Sequence, residues 1–97
     1  MDRITFLESI SGIKYPNMIV EFFDHFIALK QIVESSGKVT VIHNSENAIA
    51  FSILFDSELS KSTALLNIQS GYIVIYGRTI SINVEESSST EITIELS

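Results

Sequence analysis

PNMIVEFFDHFIALKQIVES, residues 16–35, is the stretch on which the fold turns. Pro16 or Asn17 can open a helix there, and Ser36-Gly37 can close it. At roughly 100° per residue, Met18, Ile19, Val20, Phe22, Phe23, Phe26, Ile27, Leu29 and Val33 fall on one arc of about 200°. Asn17, Glu21, Asp24, Ala28 and Gln31 make the narrow stripe opposite. Lys30 and Glu34 lie near the end of the apolar arc, where a long side chain can reach water. An ordinary surface helix hides a stripe only somewhat over 100° wide. One long apolar helix with this arc needs more cover than a flat sheet supplies. Either a curved sheet grips it or a second chain completes the packing.

Downstream of this helix the period changes from helical to strand-like. Val39 to His43 and Ala48 to Phe55 read as strands joined by the turn residues Asn44-Ser45-Glu46-Asn47. In the second strand Ile49, Phe51, Ile53 and Phe55 share a face. Residues 57–62 read as a polar loop and 64–68 as a weaker strand. Tyr76-Gly77-Arg78-Thr79 places Gly at the first central position of a two-residue II′ turn. That turn pairs Ile75 with Ile80 and Ile73 with Ile82, gathering four isoleucines on one face. Glu91 to Leu96 alternates, with Ile92, Ile94 and Leu96 inward. Upstream, residues 2–11 carry two patterns: Ile4 and Phe6 alternate like a strand, while Ile4, Leu7 and Ile10 recur like a helix turn. The strand is the preferred reading, and Gly12 ends the element. The expected fold is α+β: one long apolar helix packed on, or gripped by, an antiparallel β-meander of about five to six strands.

The 97 residues are 45 % hydrophobic and 19 % charged, enough for one core and a single domain over 1–97. Net charge is −6, and the six basic side chains, Arg3, Lys14, Lys30, Lys38, Lys61 and Arg78, are scattered. No basic stripe can track a phosphate backbone, so direct nucleic-acid binding is not expected. No apolar run spans a bilayer, and no basic-then-apolar leader is read at the N-terminus. There is no Cys for a disulfide, a thiolate or a Cys-based zinc site. The location expected is cytoplasmic.

Chemistry is hard to place. His25 lies at the edge of the helix's polar stripe, and His43 closes a strand, so the two do not converge on a metal. No Ser occupies a nucleophile elbow, and the four glycines read as breaks between elements rather than a phosphate cradle. Glu85 and Glu91 would face each other across a three-residue Ser turn, where a weak Ca²⁺ or Mg²⁺ site is outweighed by a solvated acidic end. We expect no catalytic, cofactor-binding or metal residues, and no cofactor.

What remains is surface. Tyr72, Val74 and Tyr76 fall opposite the isoleucine face, and Tyr suits interfaces through its apolar body and polar tip. The equal alternative is that the chain's own N-terminal segment or a neighbouring strand covers this face. With Val20 and Ile27 from the wide helix arc, they form the candidate interface. The expectation is a non-enzymatic small interaction protein, acting through self-association as a homodimer or as an accessory subunit of a larger assembly. The alternative is a binder, or a hydrolase, of a small apolar or acyl ligand held between helix and sheet. Phe22, Phe26, Phe51 and Phe55 would line that cavity, and Glu21 or Asp24 would serve as base.

Overall fold

In the computed structural model, residues 16–97 are described, and they form an α+β fold. The strand read over residues 2–11 lies outside the described residues. Three short helices and five strands follow one another: α1 (Asn17–His25), α2 (Ile27–Ser36), β1 (Gly37–Asn44), β2 (Ile49–Phe55), α3 (Glu58–Leu65), β3 (Gly71–Ile75), β4 (Arg78–Glu86) and β5 (Glu91–Leu96).

The single long helix expected over residues 16–35 is not present. It breaks at Phe26, whose backbone leaves the helical region at φ −127° and ψ 69°. Phe26 N–H closes α1 on the Phe23 carbonyl at 3.3 Å, and its own carbonyl accepts from Lys30 N–H at 2.9 Å to start α2. No Gly or Pro marks this point, so local propensity does not cause the break. Packing does. Ile19, Val20, Phe22 and Phe23 of α1 are buried, as are Leu29 and Val33 of α2. α1 lies against β3 and α2 against β1 and β2. Breaking the helix divides an arc that one straight rod could not bury against one sheet.

The sheet is antiparallel throughout, in the order β1-β2-β5-β4-β3. It is therefore not the meander expected, because β5 inserts between β2 and β4. The chain leaves β2, crosses through α3 to the far edge, and returns inward through β4 and β5. That crossing explains the misread segment 57–68. It is a helix rather than a loop and a strand. Ser57 caps it by accepting from Ser60 N–H at 3.1 Å, and Glu58 occupies the first turn, where a carboxylate meets the positive end of the helix.

All three helices pack on one face. Val39, Ile49, Phe51, Ile53, Phe55, Ile75, Ile80, Ile82, Ile92, Ile94 and Leu96 point into one core with the buried helix residues, Ala64 and Ile68. Lys61 is also buried, with its ammonium donating to Glu86 Oε1 at 2.8 Å and to the Ser88 carbonyl at 3.0 Å. The other sheet face carries Thr40, Ser52, Thr93, Glu85, Glu95, Asn83 and Ser81 by register. Such a division, core on one side and polar residues on the other, is normal for an antiparallel sheet.

The β3–β4 hairpin keeps the expected faces but not the expected pairs. Ile75 pairs with Arg78, Val74 with Thr79, Ile73 with Ile80 and Tyr72 with Ser81. Tyr76 and Gly77 are the two turn residues, at φ 53° and 75°. Positive φ at both positions is the I′ arrangement, with Gly second, not the II′ turn with Gly first. The pairing moves by two residues on one strand. Because side chains alternate with period two, the isoleucines still share the core face.

Candidate interaction surface

Among the described residues, β3 is one edge of the sheet and β1 the other. The closing pair Ile75–Arg78 of a two-residue turn is hydrogen-bonded, and so are the alternate pairs Ile73–Ile80 and Gly71–Ile82. Tyr72 and Val74, between them, therefore turn their N–H and C=O groups to the open side. Their side chains are on the face away from the helices. Tyr72 is 76 % exposed, Val74 58 % and Tyr76 69 %. Ser81 and Thr79 lie across from the first two on β4. Three large side chains thus line an edge whose backbone has bonds left to make.

The two edges differ in how they are guarded. β1 carries exposed Lys38, and its register shifts between Val41 and His43, leaving Ile42 as an extra residue. A lysine and a bulge both discourage a further strand. β3 has neither. From Ser62 to Gly77 there is no charged side chain, in a chain of net charge −6. Beside the start of β3 an open hollow is lined by Phe26, Leu66, Ile68, Tyr72, Ile73 and Ile82, among others, with Leu66 exposed at its rim.

Of the five candidate interface residues, the structure brings Tyr72, Val74 and Tyr76 together. Val20 is elsewhere: it is only 5 % exposed and belongs to the core, because breaking the helix buries that side of α1. Ile27 is exposed, but on α2, which packs toward β1 and β2. Leu66, exposed at the hollow beside β3, joins this surface although the sequence reading does not include it. The charge-free run from Ser62 is the signal in the sequence that marks it.

The other expected sites are also placed. Glu85 opposes Thr93 and Glu91 opposes Leu54, so these two carboxylates do not face each other. The Ser turn is longer than three residues, with Ser87 and Ser88 N–H both donating to the Glu91 carbonyl. Among the described residues no cluster of three His, Asp or Glu could hold a metal ion. His25 and His43 are both exposed. Phe22 packs on Phe51 and Phe26 with ring centroids 5.5 and 4.9 Å apart, and Phe55 is buried. Phe22, Phe26 and Phe51 thus pack on one another between helix and sheet. Asp24 lies 4.0 Å from the Lys30 ammonium.

No protein-family model, curated protein or solved structure matches the chain. Among the described residues no helix is long and apolar enough to cross a membrane.

Proposed function

We propose that this is a non-enzymatic interaction protein, working through self-association or as an accessory subunit of a larger assembly, with the β3 edge as its contact surface. One observation carries the reading: among the described residues, an unguarded, uncharged edge strand that displays Tyr72 and Val74, with exposed Tyr76 in the turn that follows it. Edge strands are where extended segments add, with backbone bonds giving affinity and alternate side chains giving selectivity. Natural edges are otherwise protected, so one left open has a partner. The reading places the protein in the cytoplasm, without direct contact with nucleic acid or membrane. The net charge of −6 and the scattered basic residues support the exclusion of nucleic acid.

Val74→Lys tests it. A lysine on an exposed edge position leaves the core untouched and blocks strand addition. We expect the mass in solution, or the set of proteins retained on the tagged chain, to change on this substitution while thermal unfolding does not. A dilute, stable wild-type monomer that retains the same proteins as Val74→Lys would overturn the reading.

A further inference from the structure

Residues 17–36 contain no Gly or Pro, yet the helix they would form is broken at Phe26. The break has none of the marks of a helix boundary. Phe26 gives α2 no side-chain cap, and no acidic residue stands in the first turn of α2. Asp24 lies in the last turn of α1 and Lys30 in the first turn of α2, each the wrong sign for the dipole end it occupies. His25 has the right sign for the end of α1 only when protonated. The start of α3 shows how this chain builds a boundary: Ser57 caps it and Glu58 follows. For α1 and α2, start and stop signals stand only outside the pair, at Pro16 and Gly37.

We propose that Phe26 is a hinge for domain exchange: α1 and α2 straighten into one helix, and α1 docks on the sheet of a second copy, which returns its own α1. The exchange takes place on the core side of the sheet and leaves the open edge of β3 as it is.

The site that α1 needs selects the partner. Ile19, Val20, Phe22 and Phe23 are buried in a core that α1 completes against β3. A second copy whose own α1 has left holds that same site. Exchange is reciprocal, so the dimer closes at two chains. Every core contact of α1 is kept, now between chains, and the two forms differ chiefly at the hinge. In the bent form the Phe23 carbonyl accepts from Phe26 N–H at 3.3 Å, three residues on, and the ladder stops. In the straight form the i→i−4 ladder runs through Phe26, and Asp24 and Lys30 no longer stand at helix ends.

The hinge also carries apolar surface that one copy leaves open. Ile27 is 53 % exposed, and Phe26 is only partly buried. In a two-fold exchange the two hinges lie side by side, so these residues meet across the axis and are covered.

Ile27→Pro separates the two forms. Proline suits the first position of α2, and it holds the residue before it outside the helical region, where Phe26 already lies. In a straight helix the same proline sits in the middle and breaks it. The full chain is unfolded in urea, refolded at high and at low chain concentration, and sized. Concentrated refolding should give a dimer that survives dilution, because return requires unfolding. Ile27→Pro should weaken that dimer by about a hundredfold or more while the monomer keeps its urea midpoint. Val74→Lys, which acts on the β3 edge, should leave the dimer in place. The chain has no Cys, so spin labels on Asn17→Cys and Glu34→Cys, in an excess of unlabelled chain, read the helix directly. The labelled positions should stand about 26 Å apart in the dimer and closer in the monomer. A dimer that keeps the label distance of the monomer, or that folded Ile27→Pro leaves intact, would overturn the exchange and leave the β3 reading standing. A monomer alone after concentrated refolding would overturn it as well. Should Ile27→Pro not fold, the label distance decides.

Discussion

Tyr76 shows how one residue can argue against its own fold. At φ 53°, an L-residue with a large side chain crowds its own backbone, a cost of about 1–2 kcal/mol where no local hydrogen bond relieves it. Gly77 beside it, at φ 75°, carries no such cost. Tyr76→Asn would complete the Asn-Gly pair that I′ turns prefer. We expect it to stabilise the chain by about 1 kcal/mol in urea unfolding. A loss of stability instead would mean that the Tyr76 side chain serves the hairpin itself. Lys61 makes a related point. Its ammonium is buried but held by Glu86 and the Ser88 carbonyl, so a charged residue can act as a core-facing position of α3.

At the scale of elements, α3 depends on its start. Ser57 accepts from Ser60 N–H, and the Ser60 hydroxyl donates to Asp56 Oδ1 at 2.9 Å. Ser57→Ala removes the cap and should cost about 1 kcal/mol, read as a lower urea midpoint with an unchanged slope. No larger loss is expected, because Ala64 and Ile68 still anchor the segment in the core. The same helix shows why part of the fold was not legible. Its inward positions are Lys61 and Ala64, followed by Ile68 beyond its end, so the apolar period is weak and the serines around it resemble a loop. The break at Phe26 was hidden for the opposite reason: the apolar period runs straight through it, and only the limited width of a sheet face divides the helix. Strong alternation was a better guide. β2 and β5 bury Ile49, Phe51, Ile53, Ile92 and Ile94 as the pattern implies. In the β3–β4 hairpin, alternation predicts the face correctly, while the turn chemistry of Tyr76-Gly77 shifts the pairs by two. The tyrosine surface was legible for the same reason, since a period of two separates it from the isoleucines. Val20 could not be excluded from that surface until the helix was seen to break.

For the whole molecule, charge decides which class of partner fits the edge, and salt reads it out. Each copy carries −6 within extents of 34 × 26 × 22 Å. At 0.01 M ionic strength the screening length is about 30 Å, comparable with the molecule, so each copy feels the full charge of the other. At 0.15 M it falls to about 8 Å, and only groups close to the contact matter. Between Ser62 and Gly77 those groups are neutral. If the chain self-associates through this edge, raising the salt from the lower to the higher value should therefore strengthen that association, by on the order of tenfold in Kd. A basic partner docked on this acidic chain would respond in the opposite direction, because screening weakens attraction. Sedimentation equilibrium at the two salt concentrations measures the sign directly. A dimer that dissociates as salt rises would place charged groups at its interface, and the uncharged β3 edge could not then be the surface that joins the two copies.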